Sequence, residues 1–223
     1  KIASGDNTFY PLIKTVAQFK KPTLISTGLS NIENLEKIKE IWTNYGDIKD
    51  LSFLHCVASY PTPNNEANLI SIKKLKEHFP ELVIGYSDHT VGVDASIYAS
   101  LLGASIIEKH FTLDKNFSDF HDHKISADPK DMKIIVSSIK NAEILIGKND
   151  KQVQDCEMNN NIALRRSIAS LRDLKKNSII SSDDLTWVRP GEGISPGNEH
   201  LLVGKKLKNN IKQGQIFKLE DFF

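Results

Sequence analysis

Five short apolar segments recur along the first half of the chain, and each ends in polar side chains. They span residues 1–4, 23–27, 51–56, 83–87 and 105–111. Near-continuous apolar runs of this length are the pattern of strands buried on both faces. Amphipathic stretches separate them. Ser30 with Glu33 three residues later reads as a capping box, followed by Ile32, Leu35, Ile38 and Ile41 on one helical face. Residues 68–79 and 93–102 form two further helical stretches. Asp128-Pro129 opens another, with Gly147 just past its end. Strand and helix in alternation predict βαβ units and a parallel sheet.

Five such units are either a five-stranded doubly wound sheet or the last five units of a (β/α)8 barrel, which needs about 250 residues when complete. Ser4, Ser26, Thr27, His55, Ser87, Asp88, His89 and His110 all fall at or just past strand C-terminal ends. Active sites of barrels are built on that face, which favours the barrel. The chain opens within a strand, so we expect the first three units to lie upstream in a longer protein.

Residues 148–161 are polar and aperiodic and read as a linker. The expected division is 1–147 for the partial barrel and 162–223 for a small β-rich domain. Within the latter, Asp173-Leu174 leads through an apolar run to Asp184-Leu185. Thirty-seven residues on, Asn210-Ile211 leads to Asp221-Phe222, a pseudo-symmetric pair.

Composition narrows the function. Lys plus Arg number 29 against 28 Asp plus Glu, a net charge of +1, which offers no broad footprint for nucleic acid or anionic membrane. No apolar run approaches the ~20 residues of a membrane span. Cys56 and Cys156 fit free thiols in a reducing cytoplasm.

His89 and His110 close consecutive strands, each beside a carboxylate, Asp88 and Glu108. They read either as a divalent-metal pair or as hydrogen-bonded core histidines. Lys1, Ser4, Ser26, Thr27 and Ser87 suit an anion pocket, or ordinary turn and cap chemistry. Tyr60 lies in a loop stiffened by Pro61 and Pro63, which can hold it at the site mouth. A nucleophilic Cys56–His55 pair fails, because neighbours in a strand point to opposite faces; Cys56 reads as buried and inert. Phe120-His121-Asp122-His123 reads as a second metal site, a substrate clamp or a solvated turn. Arg189 sits in a Gly/Pro-rich loop, and Arg165-Arg166 read as surface or interdomain charge. No Gly-rich dinucleotide motif joins a strand to a helix.

These motifs, in order, resemble the bacterial N-acetylneuraminate (sialic acid) synthases and their relatives that make legionaminic acids. The most specific are Gly85-Tyr86-Ser87-Asp88-His89-Thr90 and Glu108-Lys109-His110-Phe111-Thr112-Leu113-Asp114-Lys115, supported by Lys1-Ile2-Ala3-Ser4-Gly5 and Arg189-Pro190-Gly191. The resemblance implies a partial TIM barrel followed by a SAF, or antifreeze-like, domain of β-clip type. It implies a transferase that condenses phosphoenolpyruvate with N-acetylmannosamine or a related N-acyl amino sugar. It further implies Mn2+, with Mg2+ as the alternative, on His89 and His110. Lys1, Ser4, Ser26 and Ser87 match positions that hold phosphoenolpyruvate, Tyr60 and Asp122 match sugar contacts, and Glu108, beside the metal ligand, is a candidate for proton transfer. Arg189 matches an arginine that reaches the sugar in the neighbouring subunit, hence a domain-swapped homodimer in the cytoplasm. Two departures stand out: the Asp122 loop carries an extra residue, and Val57-Ala58-Ser59 lacks the usual polar side chain. The rivals are another phosphoenolpyruvate-dependent sugar-acid synthase, a two-His metal hydrolase and a non-catalytic glycan-binding module.

Overall fold

The computed structural model describes every residue except Asn159, and of His121 the backbone alone. It divides into two compact units, Lys1–Lys148 and Asn149–Phe223. Among the described residues no helix is long and apolar enough to cross a membrane, and both cysteines are free.

The first unit holds a four-stranded parallel sheet in the order β1 (Thr23–Ser26), β2 (Leu51–Cys56), β3 (Val83–Asp88), β4 (Ile107–Lys109). Spatial order equals chain order. A doubly wound sheet reverses its strand order at a switch point, and this one does not. The sheet therefore grows in one direction, as in a barrel wall. β2 is buried along its whole length, which explains why its sequence does not alternate.

The expected first strand is reduced to one residue. Ile2 bridges Ile25 in parallel, and the chain then turns into a 3-10 segment at Ser4–Asp6. Asn7 fixes that turn by donating its amide to Ser26 O and Gly28 O. At the far edge Phe111, the last residue of the expected segment 105–111, bridges Ala127 in parallel.

Six helices accompany these strands: α1 (Tyr10–Gln18), α2 (Ile32–Tyr45), α3 (Ser71–His78), α4 (Asp94–Leu101), α5 (His121–Ile125) and α6 (Pro129–Ile146). α2 is capped by Asn31, not Ser30: Asn31 and Asn34 form the reciprocal box, while Ser30 Oγ donates to Asn7 Oδ1. α6 begins and ends as its sequence predicts, with Asp128 capping, Pro129 in the first turn and Gly147 at φ 65°. Leu35, Ile38, Trp42, Phe53, Ile72, Phe79 and Ile84 belong to one core.

In the second unit a 3-10 turn at Asp155–Glu157 and α7 (Asn160–Leu164) precede β5 (Ser167–Ser170) and β6 (Leu185–Val188), which pair antiparallel. α7 runs across the 161/162 limit expected from the sequence. The internal repeat is structural. Leu174 bridges Ile211, its counterpart thirty-seven residues on, and both lie in one core. Ile180 with Phe217 and Leu185 with Phe222 share it. Each copy ends in an aspartate that accepts a backbone N–H three residues back, Asp184 from Ser181 and Asp221 from Lys218.

Candidate active site at the C-terminal edge of the sheet

Parallel strands in sequential order bring the polar residues of their C-terminal ends to one edge. In register, Cys56 stands beside Ser87, and Ser87 beside Glu108. Ser87 Oγ donates to Glu108 Oε1 at 2.9 Å, and Lys1 Nζ reaches the same oxygen at 2.6 Å. Burial pushes the Glu108 carboxyl up, but Lys1 and Ser87 outweigh it and hold its pKa below the usual range. Ser4 Oγ accepts the Gly28 N–H at 3.1 Å. Gly28 permits this approach, since a Cβ there would lie 2.6 Å from Ser4 Oγ. Ser26 is 2% exposed, and its hydroxyl is the buried polar side-chain atom without a partner among the described residues. A buried hydroxyl left unpaired costs roughly 1–3 kcal/mol. Thr27 is different: its hydroxyl donates to Leu54 O and is a structural group.

His89 and His110 leave β3 and β4 side by side, their ring centroids 5.4 Å apart. His89 Nδ1 lies 2.9 Å from Val57 O. A carbonyl only accepts, so Nδ1 carries the proton and Nε2 presents its lone pair. That is the arrangement of a metal-ligating histidine, oriented through its other nitrogen. Burial disfavours the charged form of His89, yet the Cys56 and Val57 contacts outweigh this and raise its pKa. Burial pushes His110 down, and the Asp122 charge only partly offsets it, which favours a neutral ring. Asp122 Oδ2 lies 3.8 Å from His110 Nδ1. Among the described residues no group of three or more His, Cys, Asp or Glu forms a ready-made cage. Two imidazoles ligating through deprotonated nitrogens fit a divalent ion whose remaining positions are water and substrate oxygen.

Tyr60 packs on both rings, 4.1 Å from His89 and 5.7 Å from His110 between centroids, and is 46% exposed. The stiff Pro61/Pro63 loop thus holds it beside the two histidines. His123, on α5 where the sequence suggested a loop, has its Nδ1 2.8 Å from Thr112 Oγ1. The side chain of His121 lies outside the described residues.

One functional neighbour escaped the sequence reading. Cys56 is 5% exposed and its Sγ lies 3.8 Å from His89 Nδ1; burial pushes its thiol up, but His89 and the hydroxyls of Ser4 and Ser87 outweigh this and hold its pKa below the usual thiol range. It therefore joins the serine cluster to the histidines. His89 Nδ1 donates to Val57 O, so that nitrogen is not free to act as a base toward the thiol. His55 is a core histidine, bonded to Ala67 O at 2.9 Å and stacked on Tyr86. Arg189 lies in the second unit, where its Nε donates to Leu164 O.

Residues 1–151 match the model of the NeuB family, and residues 165–222 match the SAF domain. An uncharacterized protein, MJ1065, of Methanocaldococcus jannaschii is 41% identical over 221 residues, 99% of this chain and 65% of that protein. The N,N'-diacetyllegionaminic acid synthase of Campylobacter jejuni is 37% identical over 219 residues, 98% of this chain and 65% of that enzyme. The structure of an N-acetylneuraminic acid (sialic acid) synthetase from Leptospira borgpetersenii superposes with a TM-score of 0.66 at 32% identity. That match covers 71% of this chain and 54% of the other. The chain thus spans about two-thirds of its sequence relatives' length. With the ordered motifs, the sequential sheet and both domain matches in agreement, the chain belongs to the NeuB family and carries a SAF domain behind its barrel segment.

Proposed function

We propose that the first unit carries the catalytic edge of a synthase that joins phosphoenolpyruvate to N-acetylmannosamine or a related N-acyl amino sugar. The products are N-acetylneuraminate, or a related nonulosonic acid, and phosphate. In this reading residues 1–147 are the last five units of a (β/α)8 barrel, 148–161 are a linker, and 162–223 are a β-clip domain. A swapped homodimer brings Arg189 to the neighbouring subunit's sugar. The observation that carries the reading is the buried, unpartnered Ser26 hydroxyl on the edge that also holds Lys1, Ser4, Ser87 and two adjacent imidazoles.

Lys1, Ser4, Ser26 and Ser87 bind the anionic oxygens of phosphoenolpyruvate, an ammonium and three hydroxyls suited to them. That anion competes with Glu108 for Lys1 and Ser87, so Glu108 turns toward the reacting carbons as substrate enters. Tyr60 and Asp122 orient the sugar, and the Tyr60 ring keeps water from the imidazoles. A divalent metal, manganese before magnesium, held by His89 and His110 supplies Lewis-acid polarisation of the sugar aldehyde. C3 of phosphoenolpyruvate bonds to the aldehyde carbon, and the aldehyde oxygen takes up a proton. Water then adds at C2, and Glu108 accepts its proton. The new C2 hydroxyl expels phosphate by C–O cleavage and becomes the product ketone.

Phosphate release from phosphoenolpyruvate tests this, with Mn2+ or EDTA and with N-acetylmannosamine or a diacetamido-deoxyhexose. Release that needs both the metal and one sugar supports the synthase. Release without sugar counts against the condensation. No release from a folded, metal-loaded protein supports a glycan-binding module.

A further inference from the structure

Two contacts single out Lys109. Its Nζ donates to Asp88 Oδ2 and to Thr90 O, each at 2.9 Å. Those are the residues on either side of His89, and the residue after Lys109 is His110. One ammonium thus grips the chain on both sides of one imidazole and is the direct neighbour of the other.

The tie lies behind the site. Ser87 and Glu108 meet on the face of the sheet that carries the site, so their neighbours Asp88 and Lys109 lie on the opposite face. There α4 covers them. Ser96 Oγ, fully buried, donates to Asp88 Oδ2 at 2.6 Å, and the charged side chains of Lys109 and Asp88 are closed to solvent. The Thr90 amide and hydroxyl both donate to Asp88 Oδ1 at 2.8 Å, which closes a tight turn around His89. The histidine carbonyls are held as well. The Thr62 amide donates to His89 O at 2.9 Å, and the Ala127 amide donates to His110 O at 2.8 Å.

A buried ion pair adds little net stability over well-packed apolar side chains of similar volume. It does demand fixed geometry, because a displaced partner leaves a desolvated charge. A pair at this place therefore resists any change in the distance between the ends of β3 and β4. A site with two imidazoles needs that resistance, since both lone pairs must converge on one ion to within about 0.5 Å. We infer that Lys109 and Asp88 are positioning residues that set the separation of His89 and His110, and with it the affinity of the site for a divalent cation. The inference rests on the two-imidazole reading above and adds two residues that no step of the reaction uses.

The test uses the whole chain and Mn2+ alone, with free Mn2+ read by electron paramagnetic resonance, beside amide hydrogen exchange of the metal-free protein. Asp88→Asn with Lys109→Met removes the tie without stranding a charge. Ile72→Ala is the control, a cavity in the same core. The paired variant should bind Mn2+ about tenfold more weakly than wild type, the loss expected when groups that orient metal ligands are removed. Its Thr62 and Ala127 amides should exchange about tenfold faster, even where urea unfolding shows little loss of global stability. Ile72→Ala should lose stability and keep its Mn2+ affinity. Wild-type affinity in the paired variant, or affinity that falls in step with stability in both variants, would overturn the proposal. Thr62 and Ala127 amides that exchange at free-loop rates in the wild type would overturn it without any variant. His89→Ala with His110→Ala checks the metal reading separately and should abolish saturable Mn2+ binding. Wild-type protein that takes up no Mn2+, or a histidine variant that still does, overturns the two-imidazole reading and the proposal with it.

Discussion

Lys109 Nζ lies 2.9 Å from Asp88 Oδ2, and both side chains are closed to solvent, at 1% and 0% exposure. The two residues are in register across β3 and β4, one position before His89 and His110. Asp88 is saturated: Oδ1 accepts from the Thr90 amide and hydroxyl and from Tyr86 OH, while Oδ2 accepts from Ser96 Oγ and Lys109. The pair clamps the strand ends where the two imidazoles leave the sheet.

Removing one partner leaves the other charge buried. Asp88→Asn and Lys109→Met should each cost about 3–5 kcal/mol of unfolding free energy. Urea titration of each variant and of the double variant checks this. The double variant should lose much less than the sum, because neither charge is then stranded.

Ser26→Ala separates ligand binding from folding. The hydroxyl has no partner to lose, so the melting temperature should hold or rise. Losing one hydrogen bond to a charged ligand costs about 1.5–3 kcal/mol, so KM for phosphoenolpyruvate should rise roughly ten- to a hundredfold. Steady-state kinetics beside a thermal melt reads both.

Asp184 makes the second unit sensitive to acid. Burial pushes its carboxyl up, but bonds from the Ser181 amide, Arg172 and the Ser181 hydroxyl prevail and lower its pKa. A depressed folded-state pKa contributes stability above the unfolded value, about 3.9. That contribution is lost as pH falls through the lower folded value. Trp187 fluorescence during urea unfolding between pH 6 and pH 2, extremes of about two units around that value, follows it. Arg172→Met should flatten the acid limb.

Gly85 admits no side chain. A Cβ would lie 2.5 Å from Leu54 Cδ2 and 2.6 Å from Ile106 O, between neighbouring strands. Gly85→Ala should destabilise by about 1–3 kcal/mol through overpacking, measured by denaturant unfolding.

The strands were legible because burial on both faces writes itself as an uninterrupted apolar run, and β2 matches its segment end to end. α6 was legible because Asp128, Pro129 and Gly147 mark both termini. α1 was missed: its N-cap, Phe9, makes no side-chain bond, which leaves Pro11 in the first turn as the start signal. The first strand shrank to Ile2, whose bridge to Ile25 is its one sheet pairing. The histidine pair followed from equivalent strand ends. Cys56 beside His89 did not, because a contact across 33 residues appears only once β2 and β3 are in register.

The most direct test follows one oxygen. The protein is incubated with Mn2+, N-acyl amino sugar and phosphoenolpyruvate labelled with 18O at the bridging position. Attack through C3 with departure by C–O cleavage predicts the label in released phosphate and a nine-carbon sugar acid formed in equal amount. His89→Ala with His110→Ala should abolish both. Label retained on the three-carbon product would mean cleavage at phosphorus, and would contradict the assignment of this sheet edge to carbon–carbon bond formation.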